Sequence, residues 1–598
     1  MGKNSGFKLS AVALLVASSF HTQAALYRVI EVETPSTLEE GSDGDYQSSY
    51  GTAIQASDAD DGSCFTSDTV GGVNCDAFVL GGETRIEEPF AGRPVDGFEY
   101  REEAFFGSSP SFYYAQDSDD SDYFQSFCSS RFGYATCDTW GDLFFDEWDR
   151  ELSGDTTTNA YAFYTTGASE ISDGDTDDSA VLYNDNAGTN VVWNSITSDV
   201  SGDSGLVGIE FSTGDERATV SSISPTSPDS STDEDAFDYS RAWKTDGTYT
   251  VGSVGYEQDN YYGTFYYTKA AIWDATGSVT TLYWNNNDED FYGIDDNDDD
   301  NKLLAQASIR DFTITDAGEI YAVGFNTYDD DDYFQEATIF SVSEDDYATA
   351  SNWTETRISD ARVDDDYDYY NTKLTGINSN LVAIGEAKRG SLQNGAYPNR
   401  PFLVADASAS SPSATYFGSE ITASSAGGTA SAINDYNEIV GQIDTNVTTR
   451  EYNGKPRTKR AYIYPYDGTG SDSDRMDIFN NQAWLLDDLT NGGDYSDANN
   501  AYRILDATGI NNAGVISATA IKCSGGYDST DEDATCGEGE QDETWVAVKL
   551  VPINGATSDD ISARGESTTS VSRSGGSLGV FTMLSMGLLA LVRRKRKA

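Results

Sequence analysis

One short pattern returns four times in the second half of the chain, and it constrains the fold more than any other feature. An apolar residue leads into an Asn/Asp turn, then Gly or Asn, then apolar residues that usually run into a Gly. The first copy is Ile314-Thr315-Asp316-Ala317-Gly318-Glu319-Ile320, ending in Val323-Gly324. The others run from Gly376 to Gly385, Ile433 to Gly441 and Gly509 to Ile516, and Trp243 to Gly252 is a looser fifth. This is a β-hairpin: β-branched residues suit both strands, and Gly or Asn supplies the left-handed backbone of a short turn. Most copies are followed by a strand passing from small to aromatic or apolar residues: Ala270-Ala271-Ile272-Trp273, Ala337-Thr338-Ile339-Phe340, Pro401-Phe402-Leu403-Val404 and Ala461-Tyr462-Ile463-Tyr464.

Hairpins alternating with small-to-aromatic strands describe propeller blades. The turn positions Asp246, Asp316, Ser379, Asp435 and Asn512 lie 56 to 77 residues apart, against about 40 to 50 for an ordinary blade. Acidic inserts at 288–301, 329–332 and 364–368 account for the surplus, because charge runs are solvated loops. The expected fold is all-β and β-propeller-like, with about six to eight irregular blades over residues 25–556. A β-helix or tandem β-sandwiches are the alternatives.

Both ends look like addresses. Lys3 and Lys8 precede an apolar run from Leu9 to Phe20, and Thr22-Gln23-Ala24 precedes Ala25; this is the layout of a signal peptide over 1–24, cut between Ala24 and Ala25. Residues 557–573 read as a Ser/Thr-rich linker. Ser574-Gly575-Gly576-Ser577 follows, then an apolar stretch from Leu578 to Val592 and a basic cluster from Arg593 to Lys597. The apolar stretch is a transmembrane segment held by its cytoplasmic basic flank. Over 574–598 this tail resembles the GlyGly-CTERM sorting signal. That resemblance implies type II secretion, cleavage by a rhombosortase-like protease, and a final place at the outer surface or in the medium.

The hairpin units are similar to HAF repeats, Gly-Ile-Asn-x-x-Gly followed by Ala-Phe-Leu-Trp, over about residues 240 to 550. The second motif here lacks its His throughout and often its Phe or Trp. With the tail, the whole chain is similar to a secreted bacterial family of unknown function, a likeness that implies a propeller and brings no known catalytic residue.

Charge and composition exclude several function classes. With 36 basic and 101 acidic side chains the formal charge is −65, which repels nucleic-acid backbones and anionic lipid. The membrane is then met only through the C-terminal tail, before processing. His21 is the one histidine and lies in the signal peptide, so the mature protein has no imidazole for Ser-His-Asp or Cys-His catalysis or for His-ligated metals. Six cysteines fall into close pairs, Cys64 with Cys75, Cys128 with Cys137 and Cys523 with Cys536, and no CxxC spacing occurs. In an exported chain this pattern predicts three local disulfides.

The acidic loops suggest calcium, a hard cation taken by clustered oxygens. Asp296, Asp298 and Asp300 form the best-spaced string, although neither that string nor the one from Asp173 to Asp177 meets the EF-hand pattern. Tyr residues interleaved with acids at Tyr328 to Phe334, Tyr367 to Tyr370 and Tyr261 to Tyr267 are of the kind that stack on sugars. No catalytic residue is nominated. The expected role is an exported surface or secreted binding protein for a glycan or protein ligand, with signal peptidase and the tail protease as processing partners. A His-free carbohydrate-active enzyme using paired carboxylates and a structural envelope component are the alternatives. Intact-mass measurement of exported protein is expected to show a chain from Ala25 to near Gly576; Arg593 to Lys597 retained in all such material would refute the sorting-tail assignment.

Overall fold

The computed structural model describes residues 25–35, 48–85, 121–131, 133–152, 160–167, 177–183, 190–202, 204–211, 217–228, 236–260, 263–284, 305–328, 334–363, 369–418, 421, 425–445 and 457–565. Among the described residues, five separate antiparallel sheets and one of eight strands form seven blades. Blade 3 is Tyr239–Thr245, Tyr249–Asn260, Gly263–Asp274 and Val279–Thr281; blade 4 is Ser308–Ile314, Glu319–Thr327, Gln335–Ser343 and Thr354–Arg357. Blade 5 is Tyr369–Ile377, Ala383–Arg389, Asn399–Val404 and Ala414–Tyr416; blade 6 is Gly428–Ile433, Glu438–Asp444, Lys459–Pro465 and Trp484–Leu485. Blade 2 has three described strands, Asn190–Ser201, Ser204–Phe211 and Arg217–Val220.

The eight-stranded sheet is two blades sharing an edge. Ser48–Ile54, Leu80–Arg85, Ala160–Thr165 and Asp177–Leu182 are blade 1, with the helices Asp122–Arg131 and Cys137–Leu152 inserted between its second and third strands. Tyr502–Ile510, Ile516–Cys523 and Glu543–Pro552 are blade 7, completed by the N-terminal strand Tyr27–Glu33. The two blades join through the short parallel pairing of Glu31 to Glu33 with Asp177 to Ser179. An apolar cluster lies between every adjacent pair of blades, from Trp193 and Ala162 between blades 1 and 2 round to Phe163 and Val551 between blades 1 and 7. That circuit closes the ring, and burial of these faces is its main source of cohesion.

The innermost strands share one irregularity. Each has a bulge residue that the second strand does not match: Thr52, Asn194, Trp243, Arg310, Thr375, Ser431 and Thr508. A bulge bends its strand and presses its backbone toward the neighbour. The second strand meets it with glycine in six blades, Gly82, Gly208, Gly252, Gly324, Gly385 and Gly441, and with Ala518 in blade 7. A Cβ on any of these six glycines would overlap the carbonyl oxygen two residues before the bulge. At Gly82, Gly385 and Gly441 the third-strand aromatics Phe163, Phe402 and Tyr462 crowd the same point. The recurring Gly and the small-to-aromatic strand of the sequence pattern are therefore layers of one packing arrangement.

The hairpin turns agree with the pattern except in blade 5. Gly247, Gly318, Asn437 and Gly514 are left-handed, but in blade 5 Leu381 takes that conformation (φ 61°) in place of Asn380. Asn378 holds the strained turn by accepting from the N–H groups of Asn380 and Val382 at 3.1 and 3.0 Å.

The three disulfides pair as the cysteine spacing predicts. The Cys523–Cys536 loop covers an ionic cluster in which Arg460 Nε lies 2.6 Å from Glu532 Oε1 and 3.2 Å from Asp487 Oδ2. Arg564 anchors the following segment there through Asp487 O and Thr530 O, so residues 557–565, read from sequence as linker, pack on the body. Burial first, then the nearby Asp487, pushes Glu532 from its ordinary 4.5 up to about 7, against the opposing pull of Arg460 and Arg503. The folded state then holds this proton where the unfolded chain has released it, and stability falls as pH rises from about 4.5 to about 7. Glu532→Gln is expected to remove that component, seen as a flatter urea-midpoint profile than wild type across the window; parallel profiles would refute it. In blade 3, Gly252→Ala is expected to destabilise by about 1–3 kcal/mol or more through overpacking. Gly255→Ala on the same strand, whose new Cβ would meet nothing closer than 3.4 Å, should cost about 1 kcal/mol or less by the same denaturation measurement.

Candidate functional site

The seven bulge residues, one from each blade, and their neighbours line a cavity of about 400 Å³ at the centre of the ring. Several of them also tie blades together. Asn194 Nδ2 donates to Ala242 O at 2.8 Å, Thr375 Oγ1 to Ala430 O at 2.6 Å and Thr508 Oγ1 to Gly51 O at 2.9 Å. In each case the acceptor is the carbonyl just before the next blade's bulge, where the ladder is interrupted.

A second row of bonds rims the cavity at the hairpin turns. Asn378 Nδ2 donates to Asn434 O (2.9 Å), Asn434 Nδ2 to Asn511 O (3.1 Å) and Asn511 Nδ2 to Gln55 O (2.9 Å), linking blades 5, 6, 7 and 1. The next turn residues do the same: Ser379 N–H donates to Asp435 Oδ1 and Asp435 N–H to Asn512 Oδ1, at 2.9 and 2.8 Å. These Asn residues belong to the repeated Ile-Asn of the sequence. Each caps its own turn with its oxygen and grips the next blade with its nitrogen.

Between these rows sit the charged groups. Lys373 Nζ lies 3.2 Å from Glu386 Oε1, both almost fully buried. The Arg310 guanidinium stacks 3.5 Å from the centre of the Trp243 ring. Lys244 Nζ is 3.8 Å from Asp311 Oδ1, and the lysine side chain is 40% exposed against 15% for the aspartate. Asp311 also accepts from Phe312 N–H (2.9 Å) and Ile377 N–H (3.1 Å). Burial raises the Asp311 carboxyl above its ordinary range, with Lys244 and the two N–H groups pulling it down and Asp435 adding to the rise. The cavity therefore combines donors, acceptors and a largely buried carboxylate paired with Lys244.

The sequence expectations fall elsewhere. Asp296, Asp298, Asp300, Ala24 and Ser574 to Ser577 lie outside the described residues, as does the apolar stretch 578–592. Among the described residues no group of three or more acidic or sulfur ligands is placed to hold a metal, and no helix is long and apolar enough to cross a membrane. Ala25 is buried two residues before the N-terminal strand. The aromatics read as sugar platforms are packed where they can be seen: Tyr328 is buried, bonded to Thr338 and covered by Arg357, Tyr369 stacks on Tyr416 and Tyr267 on Tyr256. Lys244, Arg310, Asp311, Lys373 and Glu386 were not singled out in the sequence, and Trp243 only as the start of the looser repeat. Their one signal is position, since all but Glu386 precede a repeated hairpin on the innermost strand.

Over the described residues, fold and channel together define a β-propeller of seven blades with a polar axial cavity. The chain belongs to the family described as "Protein of unknown function (DUF3466)", whose model matches residues 220–595. A search of curated proteins finds no match. Solved structures with some likeness include a GH32 β-fructofuranosidase of Bombyx mori, 11% identical over 47% of this chain and 60% of that one, with a TM-score of 0.20. A PL25 ulvan lyase is 9% identical over 59% and 88%, TM-score 0.24. A sucrose-6-phosphate hydrolase from Lactobacillus gasseri is 11% identical over 62% and 89%, TM-score 0.22. Scores this low carry no functional argument.

Proposed function

We propose that the protein is an exported, non-catalytic binding protein that takes a small polar ligand in its central channel. The observation behind this reading is the lining. Strands that pack closely between blades leave about 400 Å³ at the axis, lined by Lys, Asp, Asn, Ser and Thr together with Ala, Ile and Trp, whereas a purely structural ring would fill that space with apolar groups. Concave sites of this size with a few placed polar groups are the usual form of a small-ligand site. Export rests on the signal peptide at 1–24 and the sorting tail at 574–598, and three disulfides suit an oxidising compartment. The signal peptidase and a rhombosortase-like protease are the processing partners, and the outer surface or the medium is the destination.

One observation favours hydrolysis as a second reading: Asp311 and Asp435 both line the cavity, and burial first, with Asp435 adding to it, raises the Asp311 carboxyl above its ordinary range, as in an acid–base carboxylate pair. Turnover of a polysaccharide panel by wild type but not by Asp311→Asn would establish it.

Ala432 lines the cavity from blade 6, so Ala432→Trp fills the channel. A ligand found by thermal shift among sugars, amino acids and short peptides is expected to stabilise wild type by about 2.7 kcal/mol at a hundredfold excess over Kd, and to leave the folded Trp variant unmoved. Equal stabilisation of both, or no stabilising ligand in the panel, would defeat the channel assignment.

A further inference from the structure

The residue just after each bulge divides the channel into two unlike walls. On blades 5, 6, 7 and 1 it is Gly376, Ala432, Gly509 and Ala53, which leave the wall bare. On the consecutive blades 2, 3 and 4 it is Ser195, Lys244 and Asp311. All seven line the cavity. The polar wall has unused capacity. Ser195 is only 9% exposed and its hydroxyl has no hydrogen-bond partner, a state that costs free energy unless something supplies one. Lys244 carries three N–H donors and has Asp311 as its ion-pair partner, at the long distance of 3.8 Å.

The geometry points to a neutral cyclic polyol, a mono- or disaccharide, as the ligand: its ring fills the bare side while its hydroxyls meet Ser195, Lys244 and Asp311. This rests on the channel reading above. A hydroxyl can donate to the Asp311 carboxylate and its neighbour accept from the Lys244 ammonium, so the ion pair stays balanced. A carboxylate or amine ligand would pair with one member and leave the other uncompensated in a confined site. Trp243, half-buried at the cavity wall on blade 3, adds apolar surface of the kind that covers sugar C–H faces. The donors and acceptors come from three adjacent blades bound to one another through apolar clusters, so they are held rigidly enough to select a hydroxyl geometry.

Saturation-transfer NMR and calorimetry on the full chain, with neutral mono- and disaccharides, matched uronic acids and matched amino sugars, test the assignment. Wild type is expected to prefer the neutral sugars, and Lys244→Met and Asp311→Asn each to weaken binding roughly tenfold or more. Because Asp311 also holds backbone N–H groups, the partly exposed Lys244 position is the decisive one, with melting temperature confirming its fold. Preference for the charged analogues, or neutral-sugar affinity unchanged in Lys244→Met, would overturn the polyol assignment while binding that is lost in Ala432→Trp leaves the channel reading standing. Binding unaffected by Ala432→Trp would remove both, and no binding by any of the sugars would overturn the assignment.

Discussion

A buried carbonyl must be hydrogen-bonded, and each innermost strand here carries one residue too many for its own ladder to do that job alone. The surplus residue lies at the cavity wall, and at three junctions its side chain satisfies the next blade's interrupted carbonyl. Glycine on the second strand and small-to-aromatic sequence on the third follow from the same displaced backbone. The polar lining follows too, because six of the seven bulge residues at the cavity wall are polar.

The charge of the protein is divided between inside and outside. The surface and inserts are strongly acidic, while many of the few basic residues are interior. Arg85 with Glu83, Lys373 with Glu386, Arg457 with Asp444 and Arg475 with Glu438 are all buried pairs. Arg475 shows what such a pair does locally: it bonds Glu438 of blade 6 through two nitrogens, reaches Ser63 and Asn512 O at 3.0 and 3.1 Å, and stacks on Tyr436. One side chain thus fastens blade 6, blade 7 and the Cys64–Cys75 loop. Such a guanidinium satisfies several acceptors at once, which apolar packing of equal volume would leave bare.

The propeller was legible because its hairpins repeat, and the disulfides because their cysteines sit close together. The bulges were not legible, since an extra residue in a strand changes which face a side chain takes without changing composition or spacing in any recognisable way. Trp243-Lys244 and Arg310-Asp311 therefore read as ordinary strand residues. The helices Asp122–Arg131 and Cys137–Leu152 were missed for another reason: they interrupt blade 1, and the repeat pattern is silent there. Tyr328 and Tyr369 misled because aromatic residues beside acids look alike whether they face solvent or a neighbouring blade. The acidic inserts concealed the period, widening a regular structure into uneven intervals.

The N-terminal strand is the outer strand of the last blade, with Tyr27 opposite Pro552 and Val29 opposite Leu550. It is the first of the described strands to be made, and its partner comes from the far end of the chain. Until then only its Glu31 to Glu33 end has a partner, on blade 1, and the rest is an open edge of the kind that invites mispairing. Its closure also brings together contacts of very large sequence separation, which slows folding. The order of synthesis therefore sets the order of assembly: six blades can form as they emerge, and the ring can lock only when the last strand arrives. A truncation near the C-terminus would then strand the opposite end of the molecule as well.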